Sequence, residues 1–329
     1  MKKVIIAIIA LVVIALFALW EIRQSWIPNL GAYEAQKKYA GTLYSQAYET
    51  GAAGLYMPTR SASGMVLHLF TIPALKKSLN AHLYLFKKYP QIANDDIDVL
   101  GRTGDLYGTL EKFDKSLSMY QKQLEVFEKK YFKNLTYPER EGLTDLQAKT
   151  EEYKYLIKIR QSIAGAYNGM KEYQKGLEQY NKILELLPET TDIDKYQRED
   201  IFKDVFITIG KMQKVIFKNY KSAIEAYNDL KKSFPTPFFE STADIYIGDT
   251  YLIMGDVNKA RDIYKGVVEK YKYPKSTANY DVAERRLKDL KEGSPIIATD
   301  GIYYEIKDNK VITRLTNSKR AVSIADVKN

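Results

Sequence analysis

The feature that most constrains this chain is a spacing of small and aromatic residues that keeps returning along it. The clearest instance runs Ile247-Gly248-x-x-Tyr251-x-x-x-Gly255-x-Val257-x-x-Ala260-x-x-x-Tyr264. Gly248 and Ala260 are small enough to let two antiparallel helices approach closely, while Tyr251 and Tyr264 fill the space beside that contact. Gly255, next to Asp256, lies between the helices, where glycine ends a helix without steric cost. Gly104, Tyr107, Phe113, Ser116 and Tyr120 repeat the pattern, as do Ala164, Tyr167, Tyr173, Gly176 and Tyr180. A further unit has Gly210, Tyr220, Ala223 and Tyr227 and ends at Pro235, with one residue too many in its first helix. A segment resembling a second helix, Ser78 to Pro90, precedes them all.

One such match is weak, because small and aromatic residues are common; four in series are not. On these residues the chain resembles the tetratricopeptide repeat family, whose second helices tend to end at prolines placed like Pro90, Pro188 and Pro235. The resemblance implies an all-α fold, a solenoid of antiparallel helix pairs that binds other proteins without catalysis. In the family the first helices line a groove. The matching positions here are Asp105 and Thr109, then Lys158, Gln161 and Asn168, then Ile245, Asp249 and Leu252. Members that clamp a C-terminal carboxylate carry Lys and Asn where this chain has Gly101 and Asp105. That departure argues against a carboxylate clamp, and the groove acids Asp105 and Asp249 suit a basic or polar ligand better.

The array is irregular. Ser116, Gly176, Ala223 and Ala260 stand 60, 47 and 37 residues apart, against about 34 in a regular array. The surplus falls first at 131–149, then near Glu189 to Glu199, then at Phe234-Pro235-Thr236-Pro237.

Four regions follow. Residues 1–26 hold seventeen uncharged residues, Val4 to Trp20, behind Lys2 and Lys3. They read as a signal-anchor or transmembrane helix at the short end of what spans a bilayer. The lysines would keep the N-terminus cytoplasmic and the array outside, on the periplasmic side. A cleaved signal peptide, leaving a soluble periplasmic or secreted adaptor, is the alternative. Residues 27–75 read as a Tyr/Gly-rich spacer or a degenerate repeat. A helix over Ala32 to Glu49 is expected to break at Gly51-Ala-Ala-Gly54, with a flexible loop at Ser61-Ala-Ser-Gly64. The repeat array occupies 76–293, closed by a polar helix that starts near Ser276 or Thr277 and stops at Gly293. Residues 294–329 read as a small β-hairpin and a basic tail.

Composition narrows the chemistry. The chain has no cysteine, which excludes disulfides, thiol catalysis and lipoprotein attachment. Its two histidines, His68 and His82, sit in apolar or packing positions. The run Gly101-Arg-Thr-Gly104 lacks the Lys-Ser/Thr of a phosphate loop and coincides with a repeat's small site. No metal, cofactor or small-molecule substrate is implied. The net charge of +9 is scattered in short runs and does not describe a nucleic-acid reader. Twenty-seven tyrosines suit many half-buried helix seams and a protein-binding surface. The reading is a protein-interaction scaffold or assembly subunit of an exported or membrane-bound complex. An enzyme with an unrecognised site within 27–75 is the distant alternative.

Overall fold

A computed structural model describes residues 27–55, 62–133, 143–271, 278–298, 302–307 and 310–315. Contacts divide the chain into two compact units, Met1–Gln179 and Tyr180–Asn329.

The first unit opens with α1 (Tyr33–Leu55) and α2 (Ala62–Lys88). Tyr33 and Ala40 of α1 pack with Ala81 and Leu85 of α2, while Ala47 packs with Leu75 and Leu79. The early part of one helix therefore meets the late part of the other, and the two are antiparallel. This corrects the reading of 27–75. The helix does not break at Gly51 but continues to Leu55, and α2 begins within the stretch expected to be a loop. Glycine costs a helix about 1 kcal/mol without forbidding it, and packing between α1 and α2 outweighs that local preference.

A single turn, α3 (Pro90–Ala93), leads to α4 (Ile97–Thr109) and α5 (Phe113–Lys130), the next pair. Then come α6 (Asp145–Gly169), which packs on α5, and α7 (Tyr173–Leu184). Thr144 starts α6 with a reciprocal capping box to Gln147. Residues 134–142 of the expected insertion lie outside the described residues.

The second unit stacks α8 (Lys195–Lys211) on α9 (Tyr220–Ser233), and α10 (Pro237–Ile253) on α11 (Val257–Lys270). The surplus residue of the α8–α9 pair is absorbed by a π-helical turn over Met212–Ile216. Helix α12 (Ala278–Glu292) covers both α10 and α11 and ends at Gly293, whose φ is 69°. Beyond it, β1 (Ile296–Ile297), β2 (Ile302–Lys307) and β3 (Lys310–Leu315) pair antiparallel in that order. Ile296, Ala298 and Val311 join the core formed by Tyr264, Val267 and Ala283.

Within the pairs the close contacts are specific. A β-carbon on Gly104 would fall within 3.0 Å of the Tyr120 ring, one on Gly210 of the Tyr227 ring, and one on Gly248 of the Tyr264 ring. Ala164, Ala223 and Ala260 are fully buried, and Ser116 donates its hydroxyl to the Gly104 carbonyl at 2.8 Å. Gly176 lies against the Ala164 carbonyl. Tyr107, Tyr167 and Tyr251 each carry a lysine ammonium over the ring, from Lys115, Lys175 and Lys259. Each of the same three tyrosine carbonyls accepts, at 2.9 Å, the N–H five residues on, from Lys112, Glu172 and Asp256. Tyr180 is half-buried.

The membrane placement needs correction. Among the described residues no helix is long and apolar enough to cross a membrane. Helices α1 and α2 are long enough but carry charge along their length: α1 has Glu34, Lys37, Lys38 and Glu49, and α2 has Lys76, Lys77, Lys87 and Lys88. The segment 4–20, on which a single-pass anchor was expected, lies outside the described residues.

Candidate partner-binding groove

Helix α4 lines the first unit's candidate groove, and Asp96 fixes where the helix starts. Its carboxylate caps α4 by accepting the N–H groups of Asp98 and Val99, both at 3.1 Å. The same carboxylate takes the Tyr33 hydroxyl at 2.8 Å and the Lys37 ammonium at 2.7 Å, tying α1 to α4. Burial alone would raise the Asp96 pKa, but the Lys37 and Tyr33 bonds outweigh it and hold it below the usual range.

Two turns further along α4, Asp105 accepts hydroxyls from two helices. Tyr44 of α1 donates to Oδ2 at 2.7 Å, and Tyr120 of α5 donates to Oδ1 at 2.5 Å. Burial, reinforced by the Asp105 charge, pushes both phenol pKa values up, so both remain donors. Arg102, one turn earlier, lays its guanidinium 5.6 Å from the centre of the Tyr44 ring. Gln123 of α5 bridges the Ile97 carbonyl at 2.9 Å and the Tyr155 hydroxyl of α6 at 3.1 Å.

These groups border a cavity of about 470 Å³ lined by α1, α4, α5 and α6. Its acids are Asp98, Asp105 and Glu151, and its bases Arg102, Lys154 and Lys158. Glu151 and Lys154 pair with each other at 2.8 Å, and Asp98 faces Lys37 at 3.7 Å. Arg102 and Lys158 have no carboxylate partner among the described residues. A polar opening with unpaired charges of both signs suits a charged, hydrogen-bonding segment rather than an apolar one.

Of the expected groove positions, Asp105 and Lys158 line this cavity. Thr109 lies beside it, half-buried and bonded to the Tyr48 hydroxyl at 2.8 Å. Gln161 is half-buried next to the lining residue Ser162. Asn168 turns its side-chain oxygen under α7 against Gly176. The three positions on α10 are not groove residues. Ile245 and Leu252 are core, 1% and 0% exposed, and Asp249 is 0% exposed. Helix α12 covers that face, and its Arg286 reaches Asp249 with Nε at 3.3 Å while Tyr264 donates to the same oxygen at 2.7 Å. Sequence reasoning missed Tyr44, Arg102 and Tyr155. The four-residue spacing of Tyr44 and Tyr48 on one helix face was the available signal.

His82 is buried, its Nδ1 2.8 Å from the Ser78 carbonyl, and burial lowers its pKa to about 4. The side chain of His68 lies outside the described residues. Among the described residues no three His, Cys, Asp or Glu side chains gather as a metal site.

Three of the pairs thus set a first-helix glycine against a second-helix tyrosine, and three carry a lysine over the flanking first-helix ring. The helix pairs are tetratricopeptide-like. No family model matches the chain, and no curated protein matches it. Among solved structures it is similar to the apo form of the quorum sensor NprR from B. thuringiensis, at 13% identity and a TM-score of 0.39 over 79% of this chain and 66% of that one. It is similar to yeast Tom70 at 14% and 0.30, over 80% and 56%. A tetratricopeptide repeat protein from Parabacteroides merdae is similar at 15% and 0.25, over 79% and 98%. The chain thus spans less than two thirds of NprR and Tom70, and the fold assignment rests on the helix pairs themselves.

Proposed function

We propose that this chain is a non-catalytic interaction scaffold that seats a segment of a partner protein in the groove between α1, α4 and α6. The observation that carries the reading is the polar cavity over α4, where Asp105, Arg102 and Lys158 converge from two helices with charges the described chain does not pair. Asp105, held by two tyrosine hydroxyls, and Arg102, held over the Tyr44 ring, are preorganised for a ligand. The tyrosine-lined walls add contact area at low entropy cost.

Site-specific photo-crosslinking tests it. A photoreactive amino acid at Lys158, in the full chain in its native cells, is expected to capture one protein reproducibly. The same group at Tyr196, which is 78% exposed on the second unit, is the control. Capture from Tyr196 of the same protein at equal yield, or no capture from Lys158, overturns the groove as the binding site.

A further inference from the structure

The two units contain the same carboxylate in two conditions. Asp105 and Asp249 each follow the small residue of their first helix, Gly104 and Gly248, and each accepts the hydroxyl of the tyrosine fifteen residues on. At Asp249 the chain supplies a cation of its own, the Arg286 guanidinium, and the pair is sealed with side-chain exposures of 0% and 6%. At Asp105 the second donor is another neutral hydroxyl, from Tyr44. No cation pairs with Asp105 among the described residues, and the cavity opens beside it instead.

Arg102 does not fill that role. Its guanidinium is held over Tyr44 and pressed against Gly41 of α1, where a β-carbon would collide with it.

Resting on the groove reading above, we infer that the partner segment inserts an arginine beside Asp105, where it takes the place that Arg286 takes at Asp249. A guanidinium fits better than an ammonium, because the one solution the chain itself uses at this carboxylate is a guanidinium, whose planar fork of donors matches a carboxylate. Arg102 and Lys158, across the same opening, then receive an acidic residue of the segment next to that arginine. The recognised chemistry is an arginine adjacent to a carboxylate.

The test uses the full chain and a fluorescein-labelled glycine–serine peptide carrying repeated arginine–glutamate pairs, read by anisotropy. A matched peptide with citrulline for arginine keeps the planar shape, replaces one NH2 donor group by a carbonyl oxygen and removes the charge. The arginine peptide is expected to bind, the citrulline peptide about tenfold more weakly or worse, and Asp105→Asn to lose a similar factor for the arginine peptide alone. Asn keeps an oxygen for a tyrosine hydroxyl, and an unchanged circular-dichroism melt checks that the variant folds. Equal binding of the two peptides to the unaltered protein overturns the inference, as does absence of binding to both. If Lys158 still captures a partner but Asp105→Asn leaves that capture unchanged, the groove reading stands and the arginine assignment falls.

Discussion

Arg286 of α12 points its Nε at the Oδ1 of Asp249 from 3.3 Å, and both side chains are shut away from solvent. The pair lies buried where α12 covers α10. Removing one member of a buried pair leaves the other's desolvation uncompensated, which typically costs about 3 kcal/mol or more. Arg286→Ala is therefore expected to lower the urea midpoint strongly, whereas Arg286→Met combined with Asp249→Asn recovers most of the loss. A double variant no more stable than Arg286→Ala would show that the charge pairing is not what matters.

The glycines divide into two kinds. Gly248 faces the Tyr264 ring, and a methyl there forces ring or backbone to move, at about 1–3 kcal/mol. Gly266, on α11, meets nothing within 4 Å, so Gly266→Ala gains up to about 1 kcal/mol of helix propensity. Thermal melts of the two variants should move in opposite directions. The same sign for both would refute the packing account.

Four interhelix turns use a left-handed residue at one place: Glu111, Lys171, Lys218 and Gly255, with φ of 58°, 63°, 54° and 83°. Only the last is glycine. A side chain strains this conformation by about 1 kcal/mol, less what glycine loses in the unfolded chain. Glu111→Gly and Lys171→Gly should each raise stability by up to about 1 kcal/mol, and Gly255→Ala should lower it by a like amount, as read by denaturant unfolding.

His82 makes the first unit sensitive to acid. Its pKa falls from 6.5 to about 4 on folding because burial penalises the imidazolium. Below pH 6.5 the unfolded chain gains a proton that the folded chain refuses. The contribution is complete above pH 6.5 and is lost as pH falls toward 4, up to on the order of 3 kcal/mol. Carboxylates titrate in the same window, so the comparison is with His82→Gln. Between neutral pH and about pH 4.5 the unaltered protein should lose about 2 kcal/mol more than the variant. Parallel losses would remove His82 as the cause.

The repeat pairs were readable because their pattern is local: Gly248 and Tyr264 lie sixteen residues apart and touch. The pattern even exposed the surplus residue of the pair holding Gly210 and Tyr227, although not the form it takes. What escaped depends on neighbours distant in sequence. Arg285 and Arg286 look alike as letters, yet one is exposed and the other is 5% exposed under α10. Their difference comes from which side of α12 meets α10, and that also turned Ile245, Asp249 and Leu252 from expected groove residues into core. In α1, the weak helix propensity of Gly51 and Gly54 suggests a break, because nothing local in the sequence reveals the partner helix α2.

The π-helical turn at Met212–Ile216 has a consequence for how this chain tolerates change in length. One extra residue in an α-helix rotates all that follows by roughly 100°, which would carry Tyr227 off Gly210. The wide turn takes up that rotation before α9 begins, so the contact survives. Removing a single codon within that turn should leave a foldable protein with an ordinary helix in its place. The same deletion two turns upstream, among Phe202, Val205 and Phe206, would rotate the buried stretch that includes Ile209 and Gly210 before the wide turn is reached, and so misalign the face that packs on α9.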